Sequence, residues 1–150
     1  MRDSSVTQKR SFPLENFQFS VPIQIRFSDI DGYMHVNNGI FFNYFEHARA
    51  QYLYEKCDWN IMEIGTVVAR IELDYVKPIH LDDKVQAWVS CTRVGNSSFD
   101  LEQVLASEDQ STIFAKCKTV MVSVSMKNMK PVPIPAEHRA ILESDLHKSA

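Results

Sequence analysis

The sequence predicts an α+β fold in which an antiparallel sheet of about five strands curls around one long central helix. Residues 38–57 carry apolar side chains at helical spacing. Four strand-like segments follow, and short polar turns separate most of them. Short turns favour antiparallel neighbours. The long helix and the sheet each have one apolar face. Both faces are buried most simply when the sheet curls around the helix.

The size and composition fit a single domain. A chain of 150 residues buries enough surface for a substantial core. We expect a flexible N-terminal tail over residues 1–16 and one domain over residues 17–150. The apolar fraction of 45% and the charged fraction of 23% are ordinary for a globular protein. The net charge of −3 gives no electrostatic reason to expect a nucleic-acid partner.

The cysteines and the N-terminal residues predict a cytoplasmic protein. Cys57, Cys91 and Cys117 have the spacing of neither a disulfide framework nor a zinc site, which favours buried thiols in a reducing compartment. The first residues lack the apolar core of a signal peptide. No segment approaches the roughly 18 apolar residues of a membrane span.

Taken in order, the elements begin with a strand at residues 19–28, where apolar and polar side chains alternate. The loop at residues 29–37 contains a glycine and an asparagine, which favour turns. The long helix follows over residues 38–57, with Asn37 or Asn38 as a favourable N-cap.

The remaining chain is mostly strand. Alternation and turn signals predict strands at residues 66–76, 84–94, 98–107 and 112–125. A short terminal helix is expected over residues 135–147, with Pro135 near its start.

The most informative stretch runs from Arg26 to Arg49. Two carboxylates, Asp29 and Asp31, follow the first strand, and His35 and an asparagine pair precede the helix. This order places a carboxylate just outside a helix N-terminus, where backbone N–H groups are free. A carboxylate can attack a carbonyl or activate water, and the N–H groups can hold an oxyanion. Acyl transfer is the chemistry that uses both groups.

The same stretch resembles the hotdog-fold thioesterases, and more narrowly the 4-hydroxybenzoyl-CoA thioesterase-like family of acyl-CoA hydrolases. The matching elements are Asp29-Ile30-Asp31, His35-Val36-Asn37-Asn38 and Phe45-Glu46-His47-Ala48-Arg49. The resemblance covers about residues 19–135. It implies a hotdog fold and the hydrolysis of an acyl-CoA thioester. CoA would then be present only as part of the substrate, with no cofactor. No metal is expected either, because Asp29 and Asp31 alone are too few hard ligands.

The resemblance also implies roles for individual residues. It places the catalytic carboxylate, as nucleophile or general base, on Asp31 and the oxyanion-holding N–H on Asn38. An Asx-type turn is the structural alternative for Asp31. His35 is a candidate to orient Asp31 or the thioester. Glu46 is the catalytic runner-up, because a related subfamily uses a helix glutamate, although an ion pair with Arg49 is the more ordinary role.

Predicted substrate contacts come from the start of the helix and from the turn between the middle strands. They are Asn37, Phe41, Gly95, Asn96, Ser97 and Ser98. Two positions depart from the family. Met34 stands where the family has glycine, and Gly32 is a nearby alternative source of flexibility. Gly95-Asn96 stands where some relatives place arginines against the CoA phosphates. Asp29 is expected to order its loop through backbone hydrogen bonds.

Other functions fit less well. The D-x-D-G stretch from Asp29, with Asp82-Asp83, is reminiscent of haloacid-dehalogenase-like phosphatases, but their parallel sheet needs alternating strands and helices. A hotdog dehydratase would use a histidine and a different helix-entry motif. A thioesterase acting on acyl carrier protein and a non-catalytic acyl-thioester-binding protein stay open.

The resemblance further implies a homodimer or homotetramer. Segment 66–76 is long, alternating and free of lysine, so as an edge strand it would be poorly protected unless it paired. Hotdog relatives join their sheets edge to edge and bind the thioester at the interface. The predicted partners are therefore acyl-CoA, with acyl carrier protein as an alternative, and a second copy of the chain.

Overall fold

The computed structural model describes residues 14–146 and confirms the predicted architecture of a sheet around a long helix. The strands are β1 Phe19–Ile23, β2 Ile64–Tyr75, β3 Val85–Val94, β4 Ser98–Ser107 and β5 Ile113–Ser125. The helices are α1 Ile40–Gln51, which continues as one π-helical stretch over Tyr52–Lys56, and α2 Ala136–Ser144. Two short 3-10 turns lie at Leu14–Asn16 and Phe27–Asp29.

The five strands form one antiparallel sheet in the order β1-β3-β4-β5-β2. The expectation that short connections join neighbours holds from β3 to β5 but is wrong for β2 and β3. The connection at residues 76–84 links strands that are not neighbours in the sheet, and Ile79 within it is completely buried. Strand β2 pairs with β5 and occupies one edge of the sheet, as expected for the segment without lysine.

The first predicted strand is too long. It ends at Ile23, which pairs with Val85, the first residue of β3. Beyond this point β1 has no partner strand, and the alternating pattern continues without a sheet. Phe27 consequently lies in the 3-10 turn with 78% of its surface exposed.

The long helix begins two residues later than predicted and ends one residue earlier. Its apolar face, formed by Phe41, Tyr44, Phe45 and Ala48, is buried against the sheet. The N–H of Gly39 donates to Asn37 Oδ1 over 2.9 Å, so Asn37 closes a turn just before the helix. The helix-capping residue is Gly39, which has no side chain to make a cap bond.

The C-terminal helix α2 closes the end of the sheet where the middle strands turn. It starts after Pro135, as expected, and ends at Ser144, whereas residue 147 of the prediction lies outside the described residues. Just beyond it, the buried Asp145 accepts a 2.6 Å hydrogen bond from the Tyr52 hydroxyl. This bond joins the end of the chain to the long helix.

Most of the predicted N-terminal tail lies outside the described residues, which start at Leu14. Leu14 is buried against Trp88 and Val104 on the outer face of the sheet. Between residues 14 and 146, neither helix has the length and apolar character needed to cross a lipid bilayer.

Candidate active site

The loop between β1 and α1 is closed by its own backbone. The Asp31 N–H donates to the His35 carbonyl over 2.8 Å, and the Asn37 N–H donates to the Asp29 carbonyl over 2.9 Å. A third bond, 2.8 Å from the Val36 N–H to the Ile79 carbonyl, ties the loop to the connection after β2. Asp31 is therefore held in place from both sides of the loop.

The tight turn of this loop depends on Met34. Its φ of 66° lies in the left-handed region, which glycine adopts without steric cost. Within the described chain no glycine has a positive φ, so Gly32 does not supply this conformation. Met34 therefore adopts a backbone conformation that favours glycine, the residue that the resemblance leads one to expect here.

Replacing Met34 with glycine is expected to stabilise the protein. The side chain is 64% exposed, so little packing is lost when it is removed. Relief of the left-handed strain outweighs the greater freedom of glycine in the unfolded chain by about 0.5–1 kcal/mol. Urea unfolding of the variant and the parent protein measures the difference. A lower free energy of unfolding for Met34→Gly would contradict this account of the turn.

Asp29 orders the loop, as expected. Only 3% exposed, it accepts hydrogen bonds at Oδ2 from the Tyr44 hydroxyl over 2.6 Å and from the Arg26 N–H over 3.1 Å. Burial, together with the carboxylate, raises the pKa of Tyr44, so its hydroxyl stays a donor. Tyr44 lies on α1, and the bond therefore fixes the loop to the helix.

Asp31 lies at a cleft of about 320 Å³ beside the start of α1. Its lining residues come from the loop, the helix entry and the segment after β2: Asp31, Tyr33, His35, Val36, Asn37, Asn38 and Pro78. Asp31 Oδ1 accepts the Tyr33 N–H over 2.9 Å, which is the Asx-type turn considered as its structural role. Among residues 14–146, no group donates to its second oxygen, Oδ2, which leaves that oxygen available for chemistry.

Asn38 lines the same cleft. Its N–H makes no hydrogen bond to any described residue, whereas its carbonyl accepts the Tyr75 hydroxyl over 2.7 Å. The first turn of α1 contains no acidic side chain. The positive end of the helix is therefore not offset by a carboxylate within the helix, and a developing negative charge is favoured there.

His35 contacts a second histidine that the sequence pattern did not single out. The rings of His35 and His80 meet edge to face, with 4.8 Å between their centroids. His80 is itself held by Asp83, whose Oδ2 accepts the backbone N–H of His80 over 2.7 Å. The described contacts include no hydrogen bond from the His35 ring to Asp31. His35 thus lines the cleft, and its ring contacts His80 instead of Asp31.

The two predicted site residues within α1 do not line the cleft. Glu46 is exposed on α1, and Phe41 is only 1% exposed and packs on Tyr75. The expected ion pair between Glu46 and Arg49 is not among the described contacts. Arg49 instead points into the core and reaches Gln103 Oε1 at 3.4 Å, and its burial lowers the pKa of the guanidinium.

The predicted substrate-binding turn, residues 95–98, lies far from Asp31 within one chain. Its two ends are joined by a 2.6 Å bond from the Gly95 N–H to the Ser98 carbonyl. The Arg139 guanidinium donates to the carbonyls of Gly95 and Asn96 at 2.6 and 2.9 Å. The local sequence pattern did not predict this role of Arg139. The turn follows Val94, the last residue of β3, whereas the loop that carries Asp31 follows β1, whose last residue pairs with Val85, the first residue of β3. The turn and the loop therefore leave opposite ends of β3, a strand roughly 30 Å long.

Known proteins share both the sequence pattern and the fold. Residues 25–142 match the thioesterase-like superfamily. The long-chain acyl-CoA thioesterase FadM of Escherichia coli is 27% identical over 124 residues, which cover 81% of this chain and 94% of FadM. The PA5185 protein of Pseudomonas aeruginosa has a TM-score of 0.84 at 30% identity, covering 91% of this chain and 96% of its own. A Thermus thermophilus thioesterase, solved with coenzyme A and Zn, has a TM-score of 0.75 at 34% identity. The match covers 87% of this chain and 95% of the Thermus chain.

Proposed function

Because this chain belongs to the thioesterase-like superfamily, we propose that it hydrolyses an acyl-CoA thioester to a free acid and CoA. One observation carries the proposal. The Asp31 Oδ2 oxygen and the Asn38 N–H, neither of which has a partner among residues 14–146, belong to residues that line one cleft. The similarity to an acyl-CoA thioesterase and to a thioesterase solved with coenzyme A supports CoA as the carrier.

The chemistry follows from these two groups. With the thioester carbonyl in the cleft, Asp31 Oδ2 takes a proton from water as the water oxygen attacks the carbonyl carbon. The carbonyl oxygen becomes an oxyanion and accepts the Asn38 N–H, at the positive end of α1. Collapse of the tetrahedral intermediate breaks the carbon–sulfur bond and releases the CoA thiolate, which is then protonated.

Asp31 could instead attack the carbonyl itself and form a mixed anhydride, which water then opens. The two routes differ in where the water oxygen goes during a first turnover. In ¹⁸O-labelled water, general-base catalysis puts the label in the acid at once. On the nucleophilic route, water that opens the anhydride at the aspartyl carbonyl leaves an unlabelled Asp31 oxygen in the acid and puts the label on Asp31, whereas water that opens it at the acyl carbonyl labels the acid. Unlabelled acid together with a labelled Asp31 peptide after a single turnover, both measured by mass spectrometry, therefore identifies the nucleophilic route.

We propose that the active unit contains at least two copies of the chain. Strand β2 lies at the sheet edge, with β5 on its other side. If two β2 strands pair antiparallel about a two-fold axis, the cleft end of one sheet lies beside the turn end of the other. The turn at residues 95–98 would then approach the partner's Asp31 cleft, which it does not approach in its own chain.

The substrate class is tested with a panel of acyl-CoA thioesters and free-thiol detection. The same acyl group on acyl carrier protein and on pantetheine alone shows whether the nucleotide part of CoA is recognised. Release of thiol from at least one acyl-CoA is expected, with a higher kcat/KM than for the pantetheine thioester. Tight binding of the whole panel without thiol release would favour the non-catalytic alternative.

We also propose the cytoplasm as the compartment. Cys57, Cys91 and Cys117 are all buried and unpaired with each other, which suits a reducing environment. Burial raises the pKa of Cys57 and of Cys91 to about 12, so neither thiol is poised to react.

Turnover is expected to need no metal ion. Within residues 14–146, no three His, Cys, Asp or Glu side chains are grouped closely enough to hold a metal. The carboxylate and the helix N–H supply base and oxyanion stabilisation without a Lewis acid. After exhaustive chelation, the rate should stay within about twofold of the untreated rate. Removal of a catalytic metal would instead lower the rate by more than about tenfold. Activity lost on chelation and restored by Mg²⁺ would favour the phosphatase alternative.

A further inference from the structure

A tyrosine on the edge strand contacts the entry of the long helix. Tyr75, the last residue of β2, donates its hydroxyl to the Asn38 carbonyl over 2.7 Å. Its ring packs edge to face on Phe41, with 5.0 Å between the ring centroids. The apolar ring contact fixes the direction of the side chain, and the hydroxyl therefore reaches one particular carbonyl. The side chain is still 44% exposed at the edge of the sheet.

The peptide unit between Asn38 and Gly39 is held at both ends by side chains. Tyr75 binds its carbonyl oxygen, and Asn37 Oδ1 accepts its N–H over 2.9 Å. Without Tyr75, the carbonyl would keep only the Phe41 N–H, at 3.3 Å. The Asn38 N–H belongs to the preceding peptide unit, whose carbonyl, that of Asn37, accepts the Ile40 N–H over 2.9 Å. The two units meet at the Asn38 Cα, so the bond from Tyr75 limits rotation at Asn38 from its C-terminal side.

We propose that Tyr75 is a positioning residue that sets the direction of the Asn38 N–H and couples the edge strand β2 to the oxyanion site. The inference rests on the proposed thioesterase function. Burial raises the pKa of Tyr75, so the hydroxyl stays protonated and donates throughout the neutral range. Pairing of β2 with a second copy would immobilise the strand that carries Tyr75 and thereby the oxyanion donor.

The test is Tyr75→Phe, which keeps the ring contact with Phe41 and removes only the hydroxyl. The donor N–H remains but is less well aligned, so kcat should fall about tenfold while KM stays within about twofold. The matched control is Tyr54→Phe, because Tyr54 is 71% exposed and its hydroxyl makes no described hydrogen bond. Its kcat and KM should equal those of the parent protein. Melting temperature and sedimentation of both variants should be unchanged.

The outcomes separate this inference from the function on which it rests. If the parent protein releases no thiol from any acyl-CoA, the proposed function fails and the role of Tyr75 falls with it. If the parent protein is active and Tyr75→Phe has the same kcat, only the positioning role is overturned. A lower kcat accompanied by a lower melting temperature or by dissociation would also overturn it, because the hydroxyl would then support the fold and not the donor.

Discussion

Asp31→Asn is expected to lower kcat by at least about 10²-fold while the fold stays intact. Asp31 uses Oδ1 to accept the Tyr33 N–H, and the amide oxygen of asparagine can take over that bond. The amide nitrogen replaces the oxygen that has no partner among residues 14–146, and it can neither take a proton from water nor attack a carbonyl. The variant therefore separates the turn-forming role of the side chain from its chemical role. Free-thiol release and circular dichroism on the same preparation measure both.

Two further carboxylate variants sharpen this experiment. Asp82→Asn is the matched control, since Asp82 is an exposed loop carboxylate outside the cleft, and its rate should equal that of the parent protein. Glu46→Gln tests the runner-up on the helix and should lower kcat less than about threefold, because Glu46 does not line the cleft. Near-normal turnover by Asp31→Asn together with a collapse in Glu46→Gln would move the catalytic carboxylate to the helix.

Local sequence patterns predicted the elements in which buried positions recur at regular spacing. Phe41, Tyr44 and Ala48 recur at helical spacing because one face of α1 is buried, and the structure places all three in the core. Pairing between distant segments has no such local signal. Strand β2 lies beside β5, about 50 residues later, and the sequence between them does not encode that choice in any repeat. The early end of β1 has the same origin, since it is set by where β3 begins.

The candidate site divides in the same way. Asp31, His35 and Asn38 are close in sequence, and their order predicts a carboxylate just outside a helix N-terminus; in the structure all three line one cleft. Tyr75 reaches Asn38 from 37 positions away, and its strand pattern resembles that of any half-buried aromatic residue. His80 likewise comes to His35 because the segment after β2 lies against the loop, where the Ile79 carbonyl accepts the Val36 N–H. Contacts made by tertiary packing could not be read from the motif.

The hydrogen bonds of β2 indicate how to break a dimer without breaking the protomer. The Val76 N–H donates to the Phe114 carbonyl over 2.8 Å, and the register continues as Tyr75 opposite Ala115 and Ile71 opposite Thr119. Ladder bonds alternate along an antiparallel pair, so even-numbered residues from 70 to 76 bond to β5. Ile71 therefore directs its N–H outward, to the open edge of the sheet.

Ile71→Pro is accordingly expected to dissociate the proposed dimer and to abolish turnover with it. Proline removes the outward N–H and crowds the edge, but it leaves the bonds from β2 to β5 in place. The loss of edge bonds, each worth about 1 kcal/mol, and of the strand register should weaken association by at least about 10²-fold. Activity should follow the dimer fraction, because the turn at residues 95–98 would reach Asp31 only from the partner chain.

The control for this variant is Ile71→Ala, which loses the same packing but keeps the N–H and should remain an active dimer. Analytical ultracentrifugation at assay concentration, run beside the thiol assay, gives the association state and the rate of each protein. Circular dichroism shows whether the proline variant keeps its sheet. A parent protein that sediments as a stable, fully active monomer would defeat both the dimer and the shared site. So would a monomeric Ile71→Pro protein with the parent rate, since one chain would then hold everything that turnover requires.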